Sequence, residues 1–176
     1  DRRTSAMLSV LANTMAMSGD LKGAIDAHRR ALEAAEAAFG LAHPETAIIR
    51  QNLGDDFLYG LDLPPAVQSL SAAVDTLSAA NGPKSRGVAI AATDLAFAHL
   101  LKGDAQRAFD VAERTIATFA ESFPKHPVYA MALLARHQAG LALGKPARVD
   151  DLELALTLSD DLPPFEKGRV QLALGT

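Results

Sequence analysis

The stretch LANTMAMSGDLKGA at residues 11–24 recurs as LGDDFLYGLDLPPA at residues 53–66 and as LAFAHLLKGDAQRA at residues 95–108. The copies align without gaps, and each begins 42 residues after the copy before it. A constant spacing across three copies indicates an internal repeat, and periods of about 20 to 50 residues are typical of solenoids and related arrays. The repeat, rather than any single motif, therefore predicts the fold.

Each copy joins two helical patterns through a short turn. The segment Ser18-Gly19-Asp20 can end one helix and begin the next, because glycine adopts left-handed backbone and an aspartate carboxylate caps a helix N-terminus. In the first unit, apolar side chains recur at helical spacing on both sides of this turn: Leu8, Leu11, Ala12 and Met15 before it, and Ala24, Ile25, Ala31 and Leu32 after it, with His28 on the same face. Each unit is therefore predicted to be an antiparallel helical hairpin, which makes the fold class all-α.

Four hairpins and a last helix account for the chain. We expect repeats at approximately residues 4–40, 44–81, 84–122 and 128–159, followed by a capping helix at residues 164–175. The fourth hairpin has a degraded register, and its existence depends on two helix-length segments on either side of Gly144. We expect residues 1–176 to form a single domain, and, because the first residue is Asp1 rather than Met, to be a fragment of a longer protein.

The composition argues against several classes of partner. The formal net charge is −4 at pH 7, so the chain lacks the basic surface that nucleic-acid binding requires. The longest apolar stretch, Val88 to Leu101, contains Asp94 and His99 and is too short to span a membrane. The absence of cysteine excludes disulfides and thiolate chemistry and fits a cytoplasmic protein. We therefore expect no nucleic-acid partner and no membrane segment.

The histidines do not have the spacing of a metal or catalytic site. His28 and His99 fall at repeat positions that suit aromatic core residues, and His43 and His126 each precede a proline in the linkers between repeats. His137 has no assigned role. No H-E-x-x-H motif, nucleophile elbow or phosphate-binding loop is present. The sequence predicts no metal site, no cofactor and no enzymatic activity.

Three acidic pairs, Asp55-Asp56, Asp150-Asp151 and Asp160-Asp161, could in principle supply a general acid and a general base. Adjacent residues on a helix point about 100° apart, so the two carboxylates of a pair do not converge on one substrate. We interpret all three pairs as solvated helix faces or N-terminal caps.

The spacing of Leu11-Ala12, Met15, Gly19 and Ala24 resembles the tetratricopeptide repeat. The segment Phe39-Gly40-Leu41-Ala42-His43-Pro44-Glu45-Thr46-Ala47, followed by Gln51-Asn52-Leu53, is similar to the longer 42-residue repeat of kinesin light chains and their bacterial relatives. Lys125-His126-Pro127 repeats the linker before the fourth unit. This resemblance implies an α-solenoid of antiparallel helical hairpins wound as a right-handed superhelix.

The resemblance also implies a concave groove lined by the first helix of each hairpin. The expected peptide-binding residues map to that helix: Asn13, Met17, Ile48, Gln51, Asn52, Asp55, Tyr59, Thr93 and Phe97. None of them is lysine or arginine, so a clamp for a C-terminal carboxylate is disfavoured and an apolar or mildly basic peptide fits better.

Two hypotheses for function follow from these observations. The first is a non-catalytic scaffold that binds a protein or peptide partner through the groove. The alternative is a homo-oligomeric assembly module, such as a homodimer, within a larger regulatory or signalling protein. The sequence does not identify the partner.

Overall fold

The computed structural model describes residues 1–174, and these contain helices but no β-strand. Nine α-helices follow one another in this part of the chain: α1 Arg2–Met17, α2 Leu21–Phe39, α3 Pro44–Tyr59, α4 Leu63–Asn81, α5 Arg86–Leu101, α6 Ala105–Ser122, α7 Val128–Ala142, α8 Val149–Leu158 and α9 Pro164–Leu174. A short 3₁₀ segment, Ser159–Asp161, lies between α8 and α9. The predicted fold class, all-α with antiparallel hairpins and a final helix, is confirmed. Residue 175, the expected end of that helix, lies outside the described residues.

The chain divides into two compact units. The first unit comprises residues 1–91 and the second begins at Ala92, so α5 contributes residues to both. In the first unit, α1 packs against α2, α2 against α3, and α3 against α4. The second unit contains the packed helices α6 to α9 together with the later part of α5. That the whole chain forms one domain stays a prediction.

Alanine dominates the contacts between helices in the first unit. Ala12, Ala24, Ala31 and Ala35 are fully buried, and a methyl side chain allows two helix backbones to approach closely. At Gly54 of α3, an added Cβ atom would lie 2.7 Å from Cγ of Leu70 on α4. Small residues therefore determine the spacing of the helices in each hairpin.

The turns within the first and third hairpins follow the sequence prediction. Asp20 caps α2 by accepting a hydrogen bond of 2.9 Å from the Gly23 N–H, and Asp104 caps α6 by accepting one of 3.2 Å from the Arg107 N–H. The residues before these caps, Gly19 and Gly103, have φ angles of 88° and 86°. The turns thus need a residue that tolerates left-handed backbone.

The linker histidines have structural roles. His43 precedes α3 and accepts a hydrogen bond of 3.1 Å at Nδ1 from the Glu45 N–H, while its ring stacks on Phe39 at 4.7 Å between centroids. His126 repeats the arrangement before α7, because its Nδ1 accepts from the Val128 N–H and its ring stacks on Phe119. The His-Pro linker is therefore a helix cap with an aromatic anchor.

The degraded fourth repeat is a hairpin, as predicted. Helices α7 and α8 pack against each other, and Gly144 with a φ angle of 70° follows the end of α7. Helix α9 packs on α8 and α7, and its Val170 is fully buried. No helix among residues 1–174 combines the length and the apolarity that crossing a membrane requires.

Two acidic residues contradict their predicted placement on solvated faces or caps. Asp56 is only 3% exposed and pairs with His28 on α2. Asp151 is 8% exposed and accepts two hydrogen bonds from Arg136 on α7. A buried carboxylate needs a charged or hydrogen-bonding partner, and in both cases a neighbouring helix supplies it. The interpretation of Asp56 and Asp151 as solvated was therefore wrong.

Candidate functional site

Seven of the nine expected peptide-binding residues lie in the first unit, on α1 and α3. All seven side chains are at least partly accessible to solvent. Asn13, Met17, Ile48 and Tyr59 are exposed, and Gln51, Asn52 and Asp55 are partly buried. This surface, defined as the α1–α3 face, is separate from the fully buried stripe that contains Ala12 and Ala47. The two helices therefore offer side chains to a ligand without disturbing the core.

The polar centre of the α1–α3 face joins the two helices. Nδ2 of Asn52 lies 3.5 Å from Oγ of Ser9, at the long limit of a hydrogen bond. A contact this long is weak, so the amide of Asn52 can exchange it for a stronger bond to a ligand backbone. Asn52 is consequently well placed to bind an extended main chain.

The C-terminal ends of α1 and α3 carry large apolar side chains. Met17 is 90% exposed and Tyr59 is 61% exposed, and the two occupy the same position in the 42-residue repeat. Leu101 of α5 has this position in the third repeat and is 51% exposed. Within the first unit, an exposed apolar residue at the same repeat position of both α1 and α3 indicates a contact surface.

The charge of the α1–α3 face disfavours acidic ligands. Among its seven residues only Asp55 is ionisable near neutral pH. Arg50, the nearest cation along α3, donates a hydrogen bond of 2.8 Å to Glu36 and is thereby held against α2. Its guanidinium is therefore already neutralised, and the face has no cation to clamp a carboxylate.

The two expected site residues of the second unit, Thr93 and Phe97, are buried. Thr93 is 1% exposed and Phe97 is 5% exposed. The guanidinium carbon of Arg169, on α9, lies 4.3 Å from the centroid of the Phe97 ring and covers it. These two side chains offer no surface to a peptide in this structure. Phe97 occupies the repeat position that Asn13 and Asp55 hold in the first two repeats. Its apolar side chain was the only feature of the sequence that indicated burial at this position.

The buried pair His28–Asp56 joins two helices of the first unit. Nδ1 of His28 lies 2.6 Å from Oδ2 of Asp56, and both residues are almost fully buried. Nε2 of His28 has no hydrogen-bond partner among the described residues. The pair connects α2 to α3.

A second polar network lies between α6, α7 and α8. Arg136 donates hydrogen bonds to Glu113 and Asp151. Burial by itself would lower the pKa of Arg136, but its hydrogen bonds to Asp151 and Glu113 outweigh burial and raise that pKa. Burial also raises the pKa of the neighbouring Tyr129. Arg136 and Tyr129 keep their ordinary charge states at neutral pH, which suits a structural role.

Metal binding has no support in the described part of the chain. No group of three or more histidine, cysteine, aspartate or glutamate side chains is arranged to hold a metal ion there. The α1–α3 face, with amides, an aromatic ring and exposed apolar groups, has the composition of a surface that binds a polypeptide.

Comparison with known proteins gives a consistent result. Residues 3–79, which include nearly all of the first two hairpins, match the family model of the tetratricopeptide repeat. No curated protein matches the sequence significantly. Three similar solved structures are 17–19% identical to this chain, so they bear on the fold alone.

Two solved proteins illustrate the likeness in fold. One, in its Q17M form, is a Podosopora anserina protein described as a kinesin light chain with nearly identical TPR-like repeats. It is 18% identical with a TM-score of 0.75, over 97% of this chain and 86% of that chain. The other is BtubC (BKLC) from P. vanneervenii, 19% identical with a TM-score of 0.73, over 97% of this chain and 64% of that chain.

Proposed function

We propose that this chain, whose residues 3–79 match the tetratricopeptide repeat model, is a non-catalytic scaffold that binds a peptide on the α1–α3 face. Tetratricopeptide repeats in general mediate interactions between proteins. The observation that carries the proposal is the exposure of Met17 and Tyr59 at equivalent repeat positions, on a face that also carries the amide of Asn52. This combination supplies apolar anchors and a polar group for a ligand backbone.

The expected ligand is an extended, neutral or mildly basic segment. Asn13, Gln51 and Asn52 carry amides, which can both donate to and accept from peptide groups. Asp55 attracts a cation, and no lysine or arginine of the face would attract an anion. A ligand with apolar side chains near Met17 and Tyr59 and a basic side chain near Asp55 meets each of these features.

A binding experiment with matched double variants tests this proposal. A phage-displayed library of short peptides is selected on the protein, and the affinity of one enriched peptide is measured by fluorescence anisotropy. We expect Asn52→Ala combined with Tyr59→Ala to weaken binding by about ten-fold or more, because a tyrosine anchor often dominates an interface. Helical circular dichroism should scarcely change, since neither side chain lies in the core.

The control replaces two exposed residues on α2, the second helix of the first hairpin. Arg30→Ala combined with Glu33→Ala changes α2, where both side chains are exposed. We expect this variant to bind the same peptide with unchanged affinity. If affinity falls in the α2 variant and survives in the α3 variant, the binding surface lies on the second helices of the hairpins and the proposal is wrong.

Assembly of identical chains is the second candidate function, and one specific observation favours it. The outward face of α1 carries exposed Met7, Val10 and Leu11 in addition to the α1–α3 face. Apolar side chains in such a row are typical of a protein interface.

The chain has no cysteine, which suits the reducing cytoplasm that we propose as its location.

A further inference from the structure

The turn of the second hairpin, residues 60–62, contains an unusual leucine. Leu61 stands where the turns of the first and third hairpins have Gly19 and Gly103, and its φ angle of 58° lies in the left-handed region. The side chain of Leu61 is 67% exposed, so its burial within the chain does little to offset the cost of this backbone conformation. The stability of the hairpin by itself does not account for a leucine at this position.

Asp62 also differs from the equivalent aspartates of the neighbouring turns. Asp20 and Asp104 each accept a hydrogen bond from the backbone N–H three residues later, which caps the following helix. The second and third residues after Asp62 are Pro64 and Pro65, which have no N–H, and Asp62 makes no capping hydrogen bond. The carboxylate of Asp62 is exposed and can accept hydrogen bonds from a ligand.

The second hairpin, residues 44–81, carries the net negative charge of the chain. It contains five aspartate or glutamate residues and one cation, Arg50, so its formal net charge of −4 equals that of all 176 residues. Residues 51–83 contain no lysine, arginine or histidine. A surface with one sign of charge attracts a partner of the opposite sign, so this hairpin favours a basic ligand.

Among the carboxylates of this hairpin, Asp62 is the exposed one beside the C-terminal end of α3. Asp56 is buried against His28, and Glu45 lies in the first turn of α3. Asp75 is exposed on α4, but it follows Asp62 by 13 residues, which is about 20 Å along a helix. The last turn of α3 contains no basic residue, so the partial negative charge of the helix C-terminus adds to the charge of Asp62.

The turn adjoins the α1–α3 face. Tyr59 belongs to that face and is 61% exposed. Two residues of chain span at most about 7 Å, so the Cα atoms of Tyr59 and Leu61 lie within that distance of each other. The turn stays against α3, because the N–H of Leu61 donates to the carbonyl oxygen of Leu58 at 3.1 Å. A peptide that contacts Tyr59 therefore reaches the turn with its next residues.

We propose that the turn at residues 60–62 is a further ligand contact, which selects an apolar residue next to a lysine or arginine in the bound peptide. Leu61 contacts the apolar side chain, and Asp62 pairs with the cation. This inference rests on the proposed binding of a peptide on the α1–α3 face and adds a specificity for the part of the peptide that passes the end of α3. Contact with a ligand gives the strained backbone at Leu61 a function.

Leu61→Gly separates binding from stability. The substitution removes the apolar contact and relieves the left-handed backbone, so it should weaken binding by about five-fold or more without lowering the melting temperature. The probe is a peptide enriched from the phage-displayed library on the unmodified protein, and fluorescence anisotropy gives its affinity. Leu41, in the linker at the other end of α3, is 65% exposed and provides the matched control. Leu41→Gly should leave the affinity unchanged.

Asp62→Asn tests the pairing with a cation. Measured in about 0.1 M salt, this variant should bind the same peptide about two- to five-fold more weakly, as expected for an exposed ion pair. Asp75→Asn removes the same charge from the same hairpin, but at a distance that salt screens, and it should bind as the unmodified protein does. Replacing the basic residue of the peptide by glutamine should weaken binding to the unmodified protein and scarcely change binding to Asp62→Asn.

The outcomes distinguish this inference from the proposed peptide site. If Asn52→Ala with Tyr59→Ala weakens binding but Leu61→Gly and Asp62→Asn do not, the α1–α3 face stands and the contact at the turn is wrong. If only the two turn variants weaken binding, the peptide binds at the turn and the proposed site is wrong. Enrichment of acidic peptides from the library overturns the inference, and a library from which nothing is enriched overturns both.

Discussion

Nδ1 of His28 lies 2.6 Å from Oδ2 of Asp56, joining α2 to α3 across 28 residues of sequence inside the alanine-rich core of the first unit. A carboxylate only accepts hydrogen bonds, so the hydrogen between the two atoms belongs to the histidine ring. The same repeat positions hold Leu70 in place of His28 and Thr14 or Ala98 in place of Asp56. This pair is therefore specific to the contact between the first and second hairpins.

The pair predicts a strong energetic coupling between its two members. Asp56→Ala and His28→Ala should each lower the free energy of unfolding by about 3 kcal/mol, because each leaves a buried polar partner behind. The double variant should lose clearly less than the two single losses together. Urea denaturation monitored by circular dichroism gives the three values. Additive losses would show that the two residues act independently.

Replacing Leu61 by glycine is expected to stabilise the protein. Its φ angle is 58°, and it occupies the turn position that Gly19 and Gly103 hold in the neighbouring repeats. A bulky residue in left-handed backbone costs about 1–2 kcal/mol, which the added entropy of glycine in the unfolded chain partly offsets. Leu61 is also 67% exposed, so little apolar burial is lost. Leu61→Gly should therefore raise stability by about 0.5–1 kcal/mol in thermal unfolding.

The reciprocal substitution is the control for this turn. Gly19→Leu should lower the melting temperature, because the φ angle of Gly19 is 88° and leucine would be strained in this left-handed backbone conformation. If Leu61→Gly instead destabilised the protein, the side chain of Leu61 would be making a contribution greater than its backbone strain.

Adding a single methyl group at Gly54 is expected to overpack the core. A Cβ atom at this position would lie 2.7 Å from Cγ and 2.9 Å from Cδ2 of Leu70. The other repeats have Ala12 and Ala96 here, opposite His28 and Ala112 rather than leucine. Gly54→Ala should cost about 1–2 kcal/mol, the overpacking penalty less the gain in helix propensity.

A second substitution identifies the origin of that cost. In the background of Leu70→Ala, the two side-chain contacts are removed and only the backbone nitrogen of residue 70, 3.3 Å from the added Cβ atom, remains close. The same change should therefore cost clearly less in chemical denaturation. A penalty of the same size without the Leu70 side chain would exclude the side-chain clash as its cause.

The sequence predicted those features that are repeated within it. Hairpin turns at Asp20 and Asp104, the His43 linker and the fourth hairpin all follow from local signals, such as caps and glycines, that recur at fixed spacing. The α1 and α3 residues of the expected site were placed by the same register, and their role in binding remains a prediction.

Features that depend on one particular tertiary contact were missed. Nothing in the pair Asp55-Asp56 shows that the second carboxylate faces His28, because the two aspartates are chemically identical and their surroundings come from another helix. Phe97 was expected in the groove because the repeat places it there. The repeat carries no information about α9, whose Arg169 lies over the Phe97 ring.

His99 predicts a loss of stability in mildly acidic solution. Burial lowers the pKa of His99 below its ordinary value of 6.5, and nearby Asp104 only partly opposes that effect, while Arg107 and Lys102 add to it. The unfolded chain therefore binds more protons than the folded chain as the pH falls below about 6.5. Stability due to a neutral His99 is complete above that pH and declines from there toward the lower folded pKa.

Replacing His99 by the aromatic residue of the second repeat removes this dependence. His99→Phe should show a smaller drop in melting temperature between about pH 7.5 and about pH 5 than the unmodified chain, because phenylalanine does not titrate and Phe57 occupies the equivalent position of the second repeat. Asp160→Asn is the control: Lys167 lowers the pKa of Asp160 below 3.8, so the effect of this pair is lost only in stronger acid. That variant should therefore keep the full drop over the same pH range. An equal drop in all three proteins would mean that protonation of His99 does not govern stability in this range, and that burial of its ring does not disfavour the charged form.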